Sequence, residues 1–474
     1  MKILPSRFVY RIKFNKLGEI LKYKARLVVK GYAQIFGQDY FATFAPVAQL
    51  TSLRLLLILC AQLNLTTFHI DFEAAFVQSD IDTDVYVSYP HGYKVKNKTG
   101  ETLFMKLRKS LYGLKQAPRN WNIKLTTWLK KYGFKQSMVD PCFFYFSRDG
   151  VLCYINVYVD DVPGGHNNQK WFDKFIRDMK KEFNVGTVDE LEWVMQVEVK
   201  KIKDGFQFCH KKYIKDLLRR FNMEHCKPQK VPLIPGFEIS SHDSPTDPET
   251  QAKLAKSGYK ELLGSLLWIA RVSRPDIQAA VSILCRFASN PSKRHLAALH
   301  GILAYLSGTS DKGVCFTKTL SKDFKLYAYS DSDWAGDKDT RHSTTGYVLY
   351  FGSSPCCWYS GKQGLVTTST TEAEYVAMSQ TAKEVCYIRN LLQSIGFPQQ
   401  STVLYSDNQG ALFLGDNPKT ASRTKHIAIK YHHIRELTDM NTLKLKYVET
   451  KCMVADLLTK PLPNAAISRL LINC

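Results

Sequence analysis

The stretch NVYVDDVPGGH, residues 156–166, decides how the first half of the chain is interpreted. It places two adjacent aspartates, Asp160 and Asp161, after the apolar run VLCYINVYV and before a proline and two glycines. Because proline and glycine are typical of turns, the pattern predicts that the pair lies at the tip of a β-hairpin. Neighbouring strand residues point to opposite faces, so we expect one carboxylate to lie deep in a site and the other to flank it.

A third carboxylate, that of Asp71, ends the predicted strand TTFHID at residues 66–71. Carboxylates gathered at strand ends repel and raise each other's pKa unless a cation lies among them. Two divalent ions held by such oxygens can activate a hydroxyl group and stabilise the leaving oxygen in phosphoryl transfer. We therefore expect Asp71, Asp160 and Asp161 to bind Mg²⁺ or Mn²⁺. Taken alone, an Asp-Asp pair beside Pro and Gly is also typical of a solvated loop tip.

The composition points to a polyanionic partner. The 474 residues include 65 Lys and Arg against 43 Asp and Glu, a net charge of +22, which favours nucleic acid. The longest apolar run, LLLILCA at 55–61, is too short for a bilayer span, so we expect no membrane partner. The N-terminal residues show no export signal, and the 12 cysteines contain no CxxC pair. Reduced thiols in the cytoplasm or nucleus fit this pattern.

Short apolar strands alternate with amphipathic helical stretches, which predicts an α+β or α/β multidomain chain. Helices are predicted at 52–63, 211–222 and around 293–306. Residues 231–250, VPLIPGFEISSHDSPTDPET, are rich in Pro, Ser and Asp and are predicted to be a linker. The strand and helix pattern restarts after about residue 320, which predicts a further domain to the C-terminus.

That last part contains a second set of acids. Asp331 lies in the alternating stretch KLYAYSDSDWAGD at 325–337, and Asp407 is the predicted end of a strand in TVLYSDNQGAL at 402–412. In the predicted helix 369–396, Ser369 and Glu372 are spaced as a capping box, so Glu374 is the freer acid for chemistry. Asp456, in VADLLTK, is predicted at the start of the last helix. Acids at strand ends and helix starts are common, so these four mean little without the sequence around them.

The first half contains four ordered blocks: YKARLVVKGYAQIFGQDYFATFAPVAQLTSLRLLL (23–57), HIDFEAAFVQSDIDTDVYVSYPHGY (69–93), SLYGLKQAPRNWN (110–122) and YVDD (158–161). Together they resemble the reverse transcriptase of copia-type LTR retrotransposons. The resemblance implies a right-hand polymerase with fingers, palm and thumb over residues 1–230, a linker and connection segment over 231–320, and an RNase H-like α/β domain over 321–474.

The same resemblance implies roles for single residues. Asp71, Asp160 and Asp161 are similar to the aspartates that hold two polymerase metal ions, and Phe76 to the gate that excludes a ribose 2′-hydroxyl. It also implies that Arg26 and Lys30 meet the triphosphate of the incoming dNTP, and that Tyr112, Gly113 and Gln116 lie against template and nucleotide. The implied partners are dNTPs, an RNA template, a DNA primer and an RNA/DNA hybrid. On charge alone, the two basic residues fit a solvated strand face equally well.

The last domain contains the stretches SDSDWAGDKDTRHSTTGY, STTEAEY and RTKHIAIKYHHIRE. Together they resemble RNase H. Asp331, Glu374, Asp407 and Asp456 are then expected to hold two metal ions while water cleaves RNA in an RNA/DNA hybrid. A basic face that contacts the hybrid is expected from Arg423, Lys425, His426, Lys430, His432 and His433. Protease, integrase and capsid signatures are missing, so we expect a piece of a longer Pol polyprotein, acting in a cytoplasmic virus-like particle or the nucleus.

Three residues differ from the family pattern. Pro163 replaces a branched aliphatic residue and removes a backbone donor from the hairpin. Gln196 replaces a glycine near the primer strand, and Ala428 replaces a common aspartate. Two alternatives therefore stay open beside the active enzyme: a catalytically inactive nucleic-acid-binding relic, and an RNase H that is active although the polymerase is not. The oligomeric state stays open as well.

Overall fold

The computed structural model describes residues 2–14, 19–93, 95–319, 324–416 and 428–471. The chain forms two compact units, one of Met1–Ser52 with Thr66–Leu191 and one of Leu53–Leu65 with Glu192–Cys474. Both units combine helices with β-sheets, so the chain has a mixed α/β fold, as the alternating sequence pattern predicts.

A six-stranded sheet is the centre of the first unit. Helices Ala117–Tyr132 and Gln169–Glu182 pack their apolar residues against it. The strands, in spatial order, are Val185–Asp189, Thr66–Phe72, Asp161–His166, Val151–Asn156, Phe143–Arg148 and Lys135–Gln136.

The strand Thr66–Phe72 shows how the sequence positions an acid. Phe68, Ile70 and Phe72 alternate along it and are each at most 3% exposed, in the core between sheet and helices. Because side chains alternate between the two faces of a strand, Asp71 must point away from this core. The helix before this strand spans Leu50–Gln62, and both elements lie close to their predicted positions.

Two smaller sheets complete the first unit. Ser6–Phe14 and Ile20–Val29 form an antiparallel two-stranded ribbon, in which Arg7, Arg11, Lys24 and Arg26 share one face. A three-stranded sheet consists of Ile3–Leu4, Tyr86–Val87 and Met105–Lys106. Short 3-10 helices lie at Gly31–Ala33 and Ala75–Gln78.

The second unit contains a four-stranded antiparallel sheet and a helical layer. The strands are Trp193–Val194, Val197–Ile202, Gly205–Cys209 and Gly313–Thr317. The helices are Lys211–Arg220, Pro248–Ala255, Tyr259–Val272, Gln278–Cys285 and Lys293–Ser307, and the apolar faces of all but Pro248–Ala255 form one continuous core.

A five-stranded mixed sheet forms the rest of the second unit. Its strands, in spatial order, are Ser354–Lys362, Thr344–Phe351, Leu326–Asp333, Thr402–Ser406 and Leu443–Tyr447. The first two pairings are antiparallel and the last two are parallel. The helices of this region are Thr370–Ser394, Gln409–Asp416, Ala428–Asp439 and Asn464–Leu471, with 3-10 turns at Thr450–Cys452 and Val454–Leu458.

Arg54 fixes the helix Leu50–Gln62 within the second unit. Its side chain is buried, and the guanidinium carbon lies 3.6 Å from the centre of the Trp358 ring. The guanidinium also donates to the backbone carbonyls of Arg271 and Cys356. Burial lowers the pKa of Arg54 to about 10. A stretch predicted as part of the polymerase half is therefore built into the unit that contains the C-terminal sheet.

The segment 231–250 has little regular structure, as its composition predicts, but side chains fix it in place. Glu238 pairs with Lys338 at 2.8 Å, and the Ser241 backbone N–H donates to the Asp339 carboxylate at 2.9 Å. The predicted boundaries near residues 230 and 320 do not coincide with the two compact units. The three-part division therefore stays a functional prediction.

None of the helices in the described part of the chain combines the length and the hydropathy that a bilayer span requires. The 11 cysteines within the described ranges are free thiols, and the adjacent pair Cys356 and Cys357 lies in the strand Ser354–Lys362.

Candidate active sites

Strand pairing brings two of the predicted polymerase acids together. Strands Thr66–Phe72 and Asp161–His166 are antiparallel neighbours, with Asp71 directly opposite Asp161. Residues opposite each other in a sheet place their side chains on the same face. The Phe72 backbone N–H also donates to the Asp160 carbonyl at 3.2 Å. Asp71 and the pair Asp160 and Asp161, far apart in the sequence, therefore lie at one end of the sheet.

The predicted hairpin tip is a tight turn. Tyr158 and Asp161 exchange backbone hydrogen bonds of 2.8 and 2.9 Å, and Val159 has a left-handed backbone at φ 58°. Asp160 is the second residue inside this turn, and Asp161 is the first residue of the returning strand. A β-branched residue in the left-handed region is unusual and costs about 1–3 kcal/mol, which is typical of functional sites.

Acidic and basic side chains both surround Asp160 and Asp161. Burial raises the pKa of Asp160, and the Asp161 carboxylate raises it further, whereas Arg26 and Lys24 act in the opposite direction. His69 Nε2 lies 3.3 Å from Asp161 Oδ1. The site thus holds negative charge in a partly desolvated position, where a bound cation would be most stabilising.

Three predicted nucleotide contacts lie together beside these acids. The Phe76 and Tyr112 ring centroids are 5.0 Å apart, and the Arg26 guanidinium lies 5.4 Å from the centre of the Tyr112 ring. Burial raises the pKa of Tyr112, and the charge of Asp160 adds to the effect, which places this phenol close to the acids. Arg26, Phe76 and Tyr112 therefore form one wall of the candidate site.

Gly113 has a clear backbone role. Its φ is 93°, and a Cβ at this position would lie 2.0 Å from the Val29 carbonyl oxygen. This close approach allows the Val29 N–H to donate to the Tyr112 carbonyl at 2.8 Å. Gly113 thereby holds Tyr112 against the strand that carries Arg26. A direct contact of Gly113 with substrate stays a prediction.

Gln116 and Lys30 are placed differently. Gln116 is completely buried; its Nε2 donates to the Asp39 carbonyl at 2.9 Å and its Oε1 accepts from Gln34 Nε2 at 2.9 Å. This amide stabilises the local fold, and its contact with template or nucleotide stays a prediction. Lys30 follows the strand of Arg26, and its backbone N–H donates to the Pro5 carbonyl at 2.8 Å.

Pro163 interrupts one edge of the hairpin. Strand Asp161–His166 pairs with Val151–Asn156 from Gly164 onwards, and Tyr158 with Asp161 form an isolated bridge. Pro163 lies between these two pairings, which agrees with its missing backbone donor. On the other edge the strand pairs continuously with Thr66–Phe72. The hairpin therefore keeps Asp161 opposite Asp71 despite the proline.

Gln196 occupies a position that favours glycine. With Met195 it forms the two-residue turn between strands Trp193–Val194 and Val197–Ile202, and both turn residues have positive φ, 49° and 68°. Turns with two left-handed residues prefer Asn-Gly or Gly-Gly, because a Cβ is strained there. The glycine that Gln196 replaces would avoid this backbone strain.

The second set of acids converges more tightly. Carboxylate oxygens of Asp331, Glu374 and Asp407 lie within 4.8 Å of one another. Asp331 lies on the central strand Leu326–Asp333, and Asp407 directly follows the parallel strand Thr402–Ser406. Glu374 comes from the helix Thr370–Ser394, and its Oε1 accepts from the Ser332 N–H at 3.2 Å. Such a set of hard oxygen donors suits Mg²⁺ or Mn²⁺.

The electrostatics of this cluster are those of a site that needs a cation. Burial, Asp331 and Asp407 together raise the pKa of Glu374 to about 10. Glu374 Oε2 is buried and receives no hydrogen bond from any described residue. Burial and Asp331 raise the pKa of Asp456 to about 7. Perturbed carboxylates with an unsatisfied buried oxygen are typical of residues that bind a metal ion.

Asp456 is near the other acids, but not on the element predicted for it. It lies in the 3-10 helix Val454–Leu458, and the last helix begins only at Asn464. The prediction that it starts the last helix is therefore wrong, because the prolines of the stretch KPLP separate the two elements.

The helix-capping prediction explains which glutamate reaches the cluster. Ser369 is the N-cap, and its side chain accepts from the Glu372 N–H at 3.2 Å. The Glu372 carboxylate accepts from the backbone and side chain of Thr368 at 2.6 and 2.7 Å. Glu372 thus stabilises the helix start, and Glu374 faces Asp331.

Lys460 is a residue that the sequence analysis missed. Its Nζ lies 2.8 Å from Asp456 Oδ1. Burial lowers the pKa of Lys460, but Asp331, Asp456 and Asp407 outweigh burial and raise it. The i, i+4 spacing to Asp456 was a signal that could have revealed the pair. Of the basic face expected here, Arg423, Lys425 and His426 lie outside the described residues, as does the side chain of Lys430.

Comparisons with known proteins show which family the chain is similar to. The family model described as reverse transcriptase (RNA-dependent DNA polymerase) matches residues 1–235. The chain is 39% identical over 469 residues to the retrovirus-related Pol polyprotein from transposon RE1 of Arabidopsis thaliana, covering 98% of this chain and 31% of that protein. It is 36% identical over 464 residues to the retrovirus-related Pol polyprotein from transposon TNT 1-94 of Nicotiana tabacum, covering 97% of this chain and 34% of that protein.

Residues 1–235 therefore belong to the reverse transcriptase family. Over nearly its whole length, the chain is related to the Pol polyproteins of copia-type retrotransposons. It spans about a third of the length of these curated relatives.

Solved structures give weaker similarities. A compost LC11-RNase H1 aligns with a TM-score of 0.24 at 18% identity, over 31% of this chain and 99% of that one. A foamy viral protease-reverse transcriptase in complex with double-stranded DNA aligns with a TM-score of 0.23 at 13% identity, over 97% of this chain and 67% of that one. TM-scores this low do not establish a shared overall architecture.

Proposed function

We propose that the chain catalyses RNA-directed DNA synthesis and also hydrolyses the RNA strand of an RNA/DNA hybrid. Residues 1–230 act as fingers, palm and thumb, 231–320 as a connection, and 321–474 as the RNase H domain. The observation that carries this proposal is the convergence of acids that are far apart in the sequence. Asp71 lies opposite Asp161, and carboxylate oxygens of Asp331, Glu374 and Asp407 lie within 4.8 Å of one another.

The residues present fit divalent metal ions. In the second set, the buried and unsatisfied Oε2 of Glu374 and the raised pKa of this group call for a bound cation. Asp331, Glu374, Asp407 and Asp456 would hold ions in the RNase H domain, and Asp71, Asp160 and Asp161 in the polymerase. When bound in pairs, such ions activate the attacking oxygen and stabilise the leaving oxygen of a phosphoryl transfer.

In the polymerase, the protein's own residues bind and select the nucleotide. Arg26 brings positive charge to the edge of the acidic site, where it suits a triphosphate. Phe76 packs against Tyr112, so its ring is held rigidly as a steric gate against a ribose 2′-hydroxyl. Gly113 keeps Tyr112 in position by permitting close contact with Val29.

In the RNase H domain, Asp331 and Asp407 come from neighbouring parallel strands, which gives them a rigid base. Glu374 enters from the helix, and the Ser332 N–H orients its carboxylate. Lys460 neutralises Asp456 at the edge of the cluster. RNA in a hybrid would present its phosphate to these acids, and the net charge of +22 favours binding of such a duplex.

Two assays on the full chain test the proposal. Primer extension on poly(rA) with oligo(dT), dTTP and Mg²⁺ reports synthesis, and release of fragments from a labelled RNA/DNA hybrid reports hydrolysis. Asp160→Asn should reduce synthesis at least about 100-fold and leave hydrolysis unchanged. Asp407→Asn should do the reverse, so each variant is the control for the other. Equal extension by the parent chain and Asp160→Asn would contradict the polymerase assignment.

One alternative has specific support. Pro163 removes a hairpin donor and Gln196 strains a turn, which favours a catalytically inactive, nucleic-acid-binding relic. This alternative expects salt-dependent hybrid binding without turnover in the parent chain, and synthesis restored by Pro163→Leu with Gln196→Gly. Extension by the parent chain excludes it. Hydrolysis without extension would instead support a lone RNase H.

A further inference from the structure

Trp334 is an exposed aromatic residue beside the acids of the C-terminal sheet. It directly follows the strand Leu326–Asp333, three positions after Asp331, and its side chain is 49% exposed. The indole Nε1 donates to the Thr367 carbonyl at 3.3 Å. Thr367 belongs to the loop that leads into the helix of Glu374. The indole is therefore anchored at one edge between the segments that supply two of the acids, with part of its ring facing solvent.

The backbone around Trp334 is held rigidly. Ala335 has a left-handed conformation, φ 51°, and its N–H donates to Ser343 Oγ at 3.1 Å. Ser343 Oγ also forms a 3.0 Å hydrogen bond with Thr367 Oγ1, which joins the two loops. Left-handed alanine costs about 1–2 kcal/mol and persists only where surrounding contacts enforce it. These hydrogen bonds therefore hold the backbone next to the indole in one conformation.

A neighbouring glycine shows the same constraint. The Asp333 carboxylate accepts a hydrogen bond from the Thr344 N–H, and a Cβ at Gly336 would lie 1.9 Å from Asp333 Oδ2. Only glycine allows the loop to close this tightly over Asp333. The loop after the catalytic strand is thus built to present Trp334.

Two basic side chains are exposed on the segments that follow Trp334 in the chain. Arg341 lies on the loop after Trp334, and Lys362 ends the strand Ser354–Lys362 and pairs with Asp337 at 3.3 Å. Val366, next to Thr367, is 51% exposed. A hybrid duplex is close to A-form and presents sugars in a wide, shallow minor groove flanked by phosphates. An indole face suits the apolar edges of sugars and bases, and an exposed cation such as Arg341 suits a phosphate.

We propose that Trp334 is a substrate-binding residue that packs against the sugars of an RNA/DNA hybrid beside the phosphate to be cleaved. This rests on the proposed hydrolytic function and deepens it by naming the contact that holds the duplex. In this role Trp334 contacts the duplex and none of the acids of the cluster. It therefore contributes to affinity and does not change the rate of the chemical step. Loss of the ring should raise KM and dissociation constant together, with little change in kcat.

The test uses the full chain and measures binding apart from cleavage. Binding of a fluorescein-labelled RNA/DNA hybrid is followed by anisotropy in EDTA in the Asp407→Asn background, so turnover cannot interfere. We expect Trp334→Leu to weaken binding about tenfold or more and Trp334→Phe to stay within about threefold of the parent, because only phenylalanine keeps an aromatic face. Met440→Ala, which removes an apolar side chain that is 65% exposed on the same unit, should change nothing.

Hydrolysis by the same variants, made without Asp407→Asn, completes the test. Trp334→Leu should raise KM about tenfold and change kcat less than about threefold. Unchanged binding and KM in Trp334→Leu would overturn the proposal, as would equal losses in the leucine and phenylalanine variants, which would indicate a structural role. If the parent hydrolyses no hybrid, the proposed function fails, but the anisotropy measurement still decides the role of Trp334.

Discussion

Binding of Mg²⁺ to the C-terminal acids should release a proton, and the amount follows from the structure. Without metal, Glu374 has a pKa of about 10 and Asp456 of about 7. At pH 8, Glu374 is then about 99% protonated and Asp456 about 10%. A carboxylate must lose its proton before it can bind a metal ion. We therefore expect about one proton to be released per chain from this site at pH 8.

The same protons set how the affinity depends on pH. Between pH 8 and about 10, Mg²⁺ competes with one proton on Glu374, so the apparent affinity should rise about tenfold per pH unit. Nearer pH 7, Asp456 also becomes protonated, and the release should increase to about 1.5 protons. The direction is fixed by the raised pKa values: higher pH favours the metal-bound form.

Isothermal titration measures the release. Mg²⁺ is titrated into the full chain at pH 8 in HEPES and in Tris, which differ in ionisation enthalpy, and the difference in observed heat gives the number of protons. Asp160→Asn should retain the release from this site, and Glu374→Gln should remove it, since the amide has no proton to lose. A release near zero in the parent chain at pH 8, or an affinity independent of pH, would refute the reasoning.

Three further predictions concern other parts of the chain. Phe76→Val should raise incorporation of ribonucleotides relative to deoxynucleotides about 10- to 200-fold, measured by primer extension with each nucleotide; an unchanged ratio would exclude the gate. Gln196→Gly should raise the free energy of unfolding by up to about 1 kcal/mol in urea, because it relieves a left-handed side chain, whereas Gln196→Ala should not. Burial lowers the pKa of His210 from 6.5 to about 4. Between these pH values the unfolded chain binds a proton on His210 and the native chain does not. As the pH falls from 6.5 to 4, the free energy of unfolding should therefore fall by about 1.4 kcal/mol per pH unit, about 3 kcal/mol in total. His210→Gln should flatten this acid dependence in urea titrations, and an unchanged slope would show that other groups cause it.

The sequence predicted elements well where apolar periodicity is strong. The helix expected at 52–63 is Leu50–Gln62, and the strand expected at 66–71 is Thr66–Phe72. In both cases the apolar residues repeat with the period of the element, so local pattern and tertiary burial agree. Asp71, Asp331 and Glu374 lie in such elements, whereas Asp456 lies in a short 3-10 helix that the pattern did not predict.

Other features depend on contacts between distant residues, which a single sequence does not reveal. The segment 231–250 is fixed by pairs such as Glu238 with Lys338, and composition alone cannot specify such partners. The burial of Gln116 depends on Gln34 and Asp39, far away in the chain. A polar residue in a motif can thus serve packing and hydrogen bonding as readily as substrate contact.

The position of Arg54 bears on how the molecule can be divided. Residues 53–65 are inserted in the chain between two parts of the first unit, yet they complete the core of the second, where Arg54 stacks on Trp358. No single cut of the polypeptide separates the units without leaving one of them short of this helix. Expression of the hydrolytic half as an independent fragment would therefore require this helix to be supplied as well, either grafted at a new terminus or added as a separate peptide.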